Sequence, residues 1–459
     1  MTTAHKSRVL DMTRGDPFRL VLQFSLPLFC SNLLQQVYNL TDTALAGHLL
    51  GSAALAEIGA TAALYGLIMN FAFGMNNGLA LTVSRCFGAG EQEGIRRAVG
   101  WMVTLSAAVS LVLTTVSLLG RGALLQVLQV PAEVWDGAAA YLTVILLGIP
   151  LTMLYNMEAA LLRAVGNSVT PLLFLLFSSV LNVGLDAAFM GPLGMGVRGA
   201  AVATVLAQGI SAVLGAAYLV RSYPELHFAP AHLKKSTRRA VMNMFWAGMS
   251  MGLMSAIYNL GSVALQSSIN ALGSVYITAQ TAARRMAEMY FIPGGALGIS
   301  VATFSSQNLG AGRRSRIGQS VRAALKIYFV WWLFVLAFPF LLGEPVLRLI
   351  TGSSDARIIS NAMLYLKISV PIIPPMAVLV ILRNMLQGIR HTVEPLLASA
   401  LELIGKVIFA VWLVPVWGYR AVCFCEPTTW IICFVFILLA VWRCRSDLQD
   451  ACPPDKTPA

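Results

Sequence analysis

Charged side chains are scarce in this chain of 459 residues, of which only 11% are Asp, Glu, Lys or Arg. Soluble globular domains carry about 25% charged residues. Here 57% of the residues are hydrophobic, and the mean hydropathy is +0.74. The composition therefore excludes a soluble globular protein and predicts that most of the chain lies in a lipid bilayer.

The signatures of several enzyme classes are also absent. The sequence contains neither an H-E-x-x-H zinc motif nor a G-x-x-x-x-G-K-[ST] phosphate-binding loop. Its best G-x-S-x-G match, from Gly248 to Gly252, lies in an apolar stretch that predicts a helix, where the glycines equally suit close packing. A nucleophile elbow needs a preceding strand. We therefore predict a protein that is not an enzyme and needs no cofactor.

Cysteines are few, and their spacing does not suggest a metal centre. Cys423 and Cys425 are separated by one residue, which is too close for a zinc knuckle. We expect the seven cysteines to be packing residues or free thiols.

Long apolar stretches recur along the chain, each with the length of about 20 residues or more that spans about 30 Å of hydrocarbon as a helix. The alternating pattern of outer-membrane strands is absent. We therefore predict an all-α integral membrane protein with twelve transmembrane helices. The predicted spans are 18–47, 53–84, 95–119, 134–162, 170–191, 197–221, 239–270, 274–306, 320–342, 358–386, 395–416 and 420–442.

The net charge is +12, and the basic residues are unevenly distributed. Most Lys and Arg residues fall at the N-terminus, in the even-numbered loops or in the C-terminal tail, so the positive-inside rule places both termini in the cytoplasm. The basic stretch between the sixth and seventh spans is then expected to touch lipid headgroups. Membrane lipids, and not a nucleic acid, are the predicted partners of this charge.

An internal repeat divides the chain into two halves. The motif QQVYNLTDTAL returns as MSAIYNLGSVAL, and a Gly-Ala-Gly turn follows each copy, at Gly88 and at Gly310. Further along, LRAVGNSVTPLL matches LQGIRHTVEPLL, which pairs Pro171 with Pro395. Six spans return the chain to its starting side, so the two halves share one orientation.

This repeat predicts two pseudo-symmetric six-helix bundles with a cleft between them, as in transporters. The predicted segments are a cytoplasmic N-terminal segment (1–17), an N-terminal bundle (18–222), a cytoplasmic linker (223–238), a C-terminal bundle (239–443) and a cytoplasmic tail (444–459).

These motifs, in this order, resemble the multidrug and toxin extrusion (MATE) family, most closely its DinF-type prokaryotic branch. The resemblance covers nearly the whole chain and includes TDTALAGHLLG, the Gly-Ala-Gly turn, the R-x-x-G-N-S-V-T-P loop, and LNVGLDAAF followed by PLGMGVRGAAVATVLAQ. It implies the fold shared by MATE proteins and related flippases. It also implies an antiporter that exports cationic amphipathic compounds in exchange for H+ or Na+ by alternating access. We expect it to act as a monomer in the cytoplasmic (inner) membrane of a prokaryote.

Two polar stripes run through otherwise apolar spans. A carboxylate near the bilayer centre costs at least about 2.5 kcal/mol on insertion scales, so Asp42 and Asp186 must line water, find a partner or take up a proton. The second half has Ser262 and Ala410 at the equivalent places, so a purely architectural role does not explain the two acids. The stripes are Gln35, Tyr38, Asn39 and Asp42 in the first span, and Ser179, Asn182 and Asp186 in the fifth.

In the resembled branch, a cation site is formed by an aspartate in the first span, an Asn-x-x-x-Asp pair in the fifth and a threonine in the sixth. Asp42, Asn182 and Asp186 fall on these positions, and Thr204 is expected to be the fourth. This oxygen-only set suits Na+ as well as a proton, and the sequence does not choose between them. The alternative is structural, with Asp42 capping a kinked helix end and Asp186 paired with Arg198.

The second half has ionisable residues of its own. Glu402 and Lys406 are four residues apart and predict an intrahelical ion pair. Glu288 would either attract cationic compounds or neutralise the arginines that precede it. Pro27 removes a backbone hydrogen bond from the first span and is a candidate gate. The residues expected to contact substrate are Gln35, Tyr38, Asn39, Tyr258, Asn259, Ser262, Gln266, Glu288, Met251 and Met254.

A flippase of the same superfamily, for a lipid-linked oligosaccharide or another lipid, is the alternative function. Such a flippase is expected to have additional spans and a more cationic cleft. This chain has twelve predicted spans and two aspartates in its first bundle, which favours export of cations.

Overall fold

The computed structural model describes residues 9–128, 130–352 and 355–448. The first eight residues of the predicted N-terminal segment and residues 449–459 of the predicted tail lie outside the described residues. Within the described ranges the chain folds into helices, with no β-strand. The predicted all-α class is therefore confirmed at the level of secondary structure.

Glycine or proline residues lie between most of the helices, because glycine adopts turn conformations easily and proline lacks a backbone N–H. In chain order the α-helices of the described ranges are α1 (Pro17–Leu50), α2 (Ser52–Ala89), α3 (Gln92–Leu119), α4 (Arg121–Val127), α5 (Trp135–Leu147), α6 (Ile149–Ala164), α7 (Val169–Met190), α8 (Val197–Ser222), α9 (Pro230–Lys234), α10 (Arg238–Ala271), α11 (Ser274–Gly310), α12 (Ser315–Leu341), α13 (Gly343–Thr351), α14 (Ala356–Ser369), α15 (Ile373–Gly388), α16 (Val393–Ile408), α17 (Val414–Trp417) and α18 (Tyr419–Arg443). A π-helical stretch, Phe409–Leu413, joins α16 to α17.

Ten membrane-length helices in the described part of the chain are apolar enough to cross a bilayer, and a pair bent by 47° between Leu147 and Ile149 makes an eleventh. Each coincides with a predicted span. The remaining predicted span, 274–306, coincides with α11, which has 37 residues. This helix is long enough to cross, but Arg284, Arg285 and Glu288 make it less apolar.

The internal repeat is visible in the backbone. The Gly-Ala-Gly turns end at Gly90 and Gly312, which both have a φ of 70°. The residues before α8 and α18, Gly196 and Gly418, both have a φ of 59°. Glycine enters this left-handed region without the steric cost that a Cβ imposes. The paired glycines therefore bound equivalent helices in the two halves.

The chain divides into two compact units. Unit 1 contains the described residues up to Asp11 together with Leu26–Leu253, and unit 2 contains Met12–Ser25 together with the described residues from Met254 onward. Two long helices, α1 and α10, are thus divided between the units. The division in α1 lies beside Pro27, the predicted gate.

Each unit has its own buried core. In unit 2, α11 packs along α15, where a Cβ on Gly388 would lie 2.6 Å from the carbonyl oxygen of Ala302. The main core of unit 1 lies where α2, α3, α5 and α6 meet, and its buried side chains include Met75, Leu79, Met102, Leu142 and Leu146.

Glycines hold α2 against the first part of α10 within unit 1. A Cβ on Gly78 would lie 2.3 Å from the carbonyl oxygen of Ala247, so only glycine permits this approach. Gly248 and Gly252 in turn pack on side chains of α2. The G-x-S-x-G sequence therefore lies in a helix and serves packing.

From Met12 onward, the N-terminal segment is tied down within unit 2. Met12 is fully buried. Its N–H donates to Oε1 of Gln307 at 3.2 Å, and its carbonyl accepts from Nδ2 of Asn308 at 2.9 Å. Arg313 donates to the carbonyl of Thr13 at 2.6 Å. These bonds fix the path of the chain into α1.

Candidate functional site

The candidate cation site lies within unit 1, on α1, α7 and α8. Asp186 and Asn182 of α7 are 0% and 1% exposed, and Thr204 of α8 is also buried. Asp42 of α1 is partly buried. Because Asn182 and Asp186 are four residues apart, they lie on one face of α7.

The structure brings these four predicted residues together. The carboxyl groups of Asp42 and Asp186 lie within hydrogen-bonding range of each other, and Asn182 is beside Asp186. Nδ2 of Asn182 donates to Oγ1 of Thr204 at 3.4 Å. The hydroxyl of Thr204 donates in turn to the carbonyl of Ala200 at 3.1 Å, so its Oγ1 both accepts from Asn182 and donates to the backbone.

Several oxygens of this cluster lack a donor. Neither carboxyl oxygen of Asp186, nor Oδ1 of Asp42, nor Oδ1 of Asn182 has a hydrogen-bond partner among the described residues. A buried polar atom without a partner costs about 1–3 kcal/mol, and two facing carboxylates repel each other as well. Arg198 is exposed and makes no ion pair with Asp186 in the described part of the chain. A proton or a cation between these oxygens would offset this cost, and oxygen ligands suit Na+.

Aromatic and amide side chains surround the carboxyl pair. The hydroxyl of Tyr38 lies beside Thr204, and Tyr65 lies beside Gln208. Tyr141 is near both carboxyl groups. Sequence reasoning missed Tyr65, Tyr141 and Gln208 as neighbours of the site. For Gln208 a signal was present, since it follows Thr204 by one helical turn.

A third buried acid of unit 1, Glu158 on α6, was also missed. It is 4% exposed, and its Oε1 has no hydrogen-bond partner among the described residues. Its other oxygen lies against α8, where a Cβ on Gly215 would be 2.2 Å from it. The nearby Arg163 donates to Asn77 at 3.1 Å and covers the ring of Phe73. Glu158 therefore shares the burial of Asp186 and, like it, has a carboxyl oxygen without a donor among the described residues.

Unit 2 contains a buried network of opposite charges. The predicted pair forms, with Nζ of Lys406 3.2 Å from Oε1 of Glu402. Arg383 approaches the other oxygen of Glu402 at 3.4 Å. Glu426 of α18 is 3.0 Å from Arg284 and 3.9 Å from Lys406. The pair is thus part of a network that joins four helices, which the sequence did not predict.

Aromatic and hydroxyl groups complete this network. Tyr365 donates to Oε2 of Glu426 at 2.5 Å. Nζ of Lys406 lies 4.3 Å from the centre of the Tyr258 ring. Arg284 donates to Ser262 at 3.3 Å and approaches Glu288 at 3.6 Å. Glu288 therefore neutralises an arginine, one of its two predicted roles.

The residues predicted to contact substrate lie on several helices and mostly make local bonds. Gln35 donates to Asn39 at 3.2 Å, and Gln266 donates to Asn270 at 2.9 Å. Asn259 donates to the carbonyl of Ser255 at 2.9 Å. Within unit 1 are Gln35, Tyr38, Asn39 and the buried Met251; within unit 2 are Met254, Tyr258, Asn259, Ser262, Gln266 and Glu288. Their role toward substrate stays a prediction.

Comparison with known proteins identifies the family. A family model described as MatE matches residues 27–188 and 250–412. The chain belongs to the MATE family. The model matches once in each half of the chain, in agreement with the predicted repeat. As a member of a transporter family, the protein is a transporter and not an enzyme.

Curated relatives of this MATE protein have names that refer to drug resistance. The probable multidrug resistance protein YpnP of Bacillus subtilis is 28% identical over 310 residues, which cover 68% of this chain and 69% of that protein. The probable multidrug resistance protein NorM of Thermotoga maritima is 23% identical over 388 residues, which cover 83% of this chain and 82% of that protein.

Solved structures share the fold. One, described as the outward-facing conformation of a multidrug resistance MATE family transporter of the MOP superfamily, has a TM-score of 0.85 at 24% identity and covers 96% of this chain and 98% of that chain. Another is a MOP superfamily transporter from Pyrococcus furiosus, described as having a binding pocket of reversed polarity. It has a TM-score of 0.86 at 23% identity and covers 95% of this chain and 98% of that chain. They confirm the predicted all-α MATE-type fold.

Proposed function

We propose that this MATE protein is a secondary active antiporter that exports cationic amphipathic compounds in exchange for H+ or Na+. The names of the curated relatives support multidrug export. The observation that carries the coupling is the facing pair of carboxyl groups of Asp42 and Asp186, whose oxygens lack donors among the described residues. Asn182 and Thr204 complete an oxygen-only ligand set for the ion.

The carboxyl pair links ion binding to conformational change. A proton or Na+ between Asp42 and Asp186 draws the two groups together, whereas two bare anions in a low-dielectric surrounding repel each other. Because Asp42 is on α1 and Asp186 on α7, ion release separates these helices, and Pro27 gives α1 a point at which to bend. Antiport follows when ion and substrate favour different arrangements of α1.

The proposed cycle uses alternating access. Ion binding from outside rearranges unit 1 and releases the substrate outward, and ion release to the cytoplasm restores substrate affinity. The asymmetric distribution of Lys and Arg supports a topology with both termini in the cytoplasm. The curated relatives named above are bacterial, which is consistent with a prokaryotic cytoplasmic membrane. The basic stretch 223–238 would contact lipid headgroups, and a single chain would suffice for the cycle.

A lipid flippase is the second candidate, and the charges of unit 2 favour it. Three cations, Arg284, Arg383 and Lys406, meet three acids, Glu402, Glu426 and the half-exposed Glu288. The side chain of Arg284 is 22% exposed, and a guanidinium group suits an anionic headgroup better than a cationic drug. The described reversal of pocket polarity in a structure of the same fold is consistent with such variation.

Transport in proteoliposomes tests the proposal. The purified protein is reconstituted, proton and sodium gradients are imposed separately, and the movement of a cationic dye is measured. The Asp186→Asn variant removes the coupling acid, and Asp136→Asn, an exposed acid at the start of α5, is the matched control. Flux that one gradient drives, and that only Asp186→Asn abolishes, supports antiport and names the ion.

The same vesicles test the flippase. A folded protein that moves no dye under either gradient, but accelerates transbilayer movement of a fluorescent anionic lipid, would replace the exporter by the flippase. Removal of Arg284 should then slow lipid movement, because the headgroup loses its cationic partner.

A further inference from the structure

Four side chains with metal-binding or orienting capacity meet at one end of unit 2, outside the predicted spans. His391 lies in the loop between α15 and α16, and Glu394 lies in the first turn of α16. Cys444 directly follows α18, and Asp447 lies in the next turn, Arg445–Leu448. The transport site uses none of these residues.

Two of the three distances among three of these side chains are close to those of a tetrahedral metal site. Nδ1 of His391 is 3.2 Å from Oε1 of Glu394 and 3.4 Å from Sγ of Cys444, and the three atoms lie within 4.8 Å of one another. With Zn–N and Zn–O bonds of about 2.1 Å and a Zn–S bond of about 2.3 Å, tetrahedral geometry separates N from O by about 3.4 Å and N from S by about 3.6 Å. The two distances from His391 are therefore both within about 0.2 Å of the tetrahedral values.

The fourth side chain has the usual place of an orienting group. Nε2 of His391 is 2.9 Å from Oδ2 of Asp447. A carboxylate at this nitrogen holds its proton and leaves the lone pair of Nδ1 for a metal. The backbone is also held in an uncommon conformation, since Arg390 is the one non-glycine residue of the described ranges with a positive φ, 77°.

The first half of the chain shows that architecture alone does not require these residue types. In the repeat alignment that pairs Pro171 with Pro395, the places of His391, Glu394 and Asp447 are held by Asn167, Thr170 and Tyr223, and Val220 stands at the place of Cys444. There Nδ2 of the asparagine donates to the hydroxyl oxygens of the threonine and the tyrosine, both at 2.8 Å. Neutral groups thus build the turn in unit 1, whereas unit 2 has a thiol, an imidazole and carboxylates.

We propose that His391, Glu394 and Cys444 bind a Zn²⁺ ion, with Asp447 orienting the histidine. A thiolate, an imidazole and a carboxylate suit Zn²⁺ better than Na+ or Mg²⁺, which prefer oxygen ligands alone. Three protein ligands leave a fourth position for water. The bound ion ties the start of α16 to the end of α18.

Metal titration of the full-length protein tests the site. The purified protein, without a histidine tag, is stripped with a chelator, and Zn²⁺ is added in competition with a chromophoric chelator. We expect one equivalent to bind, and Co²⁺ in its place to give the charge-transfer absorption of a cobalt–thiolate bond. Cys444→Ser and Glu394→Gln should each lose this binding. The control Cys30→Ser, which changes an exposed thiol elsewhere, should retain it.

A variant of Asp447 distinguishes metal binding by this cluster from a purely structural role. Asp447→Asn should keep the cobalt–thiolate absorption but weaken Zn²⁺ binding by about 10–100-fold, as loss of an orienting partner does. Elution volume and thermal unfolding without metal show whether each variant is folded. No Zn²⁺ binding by the folded wild-type protein, or equal binding by folded Cys444→Ser and Glu394→Gln, would overturn the proposal.

Discussion

Unit 1 and unit 2 share a repeated helix pattern but differ in whether their buried acids have compensating partners. In unit 1, Asp42 and Asp186 face each other with oxygens that lack donors among the described residues. In unit 2, Glu402 and Glu426 have cations within ion-pair distance. Removal of charge from water is tolerated only when a partner compensates for it. The acids of unit 1 are therefore the groups at which we propose that an exchangeable ion binds.

The position of the cation sharpens this comparison. In the repeat alignment that pairs Pro171 with Pro395, Lys406 of unit 2 stands at the place of Asn182 in unit 1. Its ammonium group is covalently attached and cannot leave, whereas the proposed ion of unit 1 exchanges with each cycle. The two units thus contrast a permanent cation with an exchangeable one, and the following experiments test that contrast.

The largest effect is expected when an acid of unit 1 is removed. In Asp42→Asn or Asp186→Asn, gradient-driven dye transport should fall to the level of empty liposomes, because a neutral amide neither takes up a proton nor compensates a sodium ion. Wild-type flux in either variant would show that the pair does not couple transport.

The next experiment gives unit 1 a permanent cation. In Asn182→Lys, an ammonium group beside Asp186 should neutralise the pair without an external ion, so driven transport is lost while the protein stays folded. The measurement is dye flux, together with thermal unfolding in detergent with and without Na+. Asn182→Gln keeps an amide at this place and is the control.

Replacement of Lys406, the permanent cation of unit 2, should lower the free energy of unfolding. Lys406→Met leaves Glu402 and Glu426 with fewer compensating charges, and breaking a buried pair costs about 3–5 kcal/mol. The double variant Lys406→Met with Glu402→Gln should recover much of this loss. Thermal unfolding in detergent compares these two variants with Glu402→Gln alone, and losses that simply add would show that the pair contributes no net interaction.

The smallest effect is expected from the neutral ligands of unit 1. Thr204→Ala removes one hydroxyl oxygen, and a single hydrogen bond contributes about 0.5–1.5 kcal/mol. The ion concentration for half-maximal transport should therefore rise about 2–12-fold, with maximal flux unchanged. Thr204→Ser keeps the hydroxyl and should behave like wild type. An unchanged ion dependence in Thr204→Ala would remove this residue from the ligand set.

Local patterns predicted much of the fold and part of the site. Helices, the repeat and the stripe of Asn182 and Asp186 depend on residue spacing within one segment, which sequence displays directly. The Glu402 and Lys406 pair was predicted for the same reason, because residues four apart meet on one helix. The partners of that pair, Arg383 and Glu426, could not be predicted, since they come from other helices.

The same limit applies to the other missed groups. Tyr65 and Tyr141 surround the carboxyl pair from α2 and α5, and nothing in their own segments marks them. Cys444 seemed to lack any metal spacing, because its proposed co-ligands, His391 and Glu394, lie far from it along the chain. Contacts between distant segments depend on helix packing and not on local spacing.

The sequence by itself determined that this chain crosses a membrane as two repeated sets of helices, because apolar length and the distribution of charge act segment by segment. It also placed Asp42 and Asp186 within apolar spans, although it did not reveal the buried Glu158. Only the tertiary structure decided which acids are compensated, because compensation at these distances requires side chains from different helices to meet. Asp186 and Glu426 look alike as carboxylates in apolar segments, and their neighbours in space make one a candidate ion ligand and the other part of a closed ion-pair network.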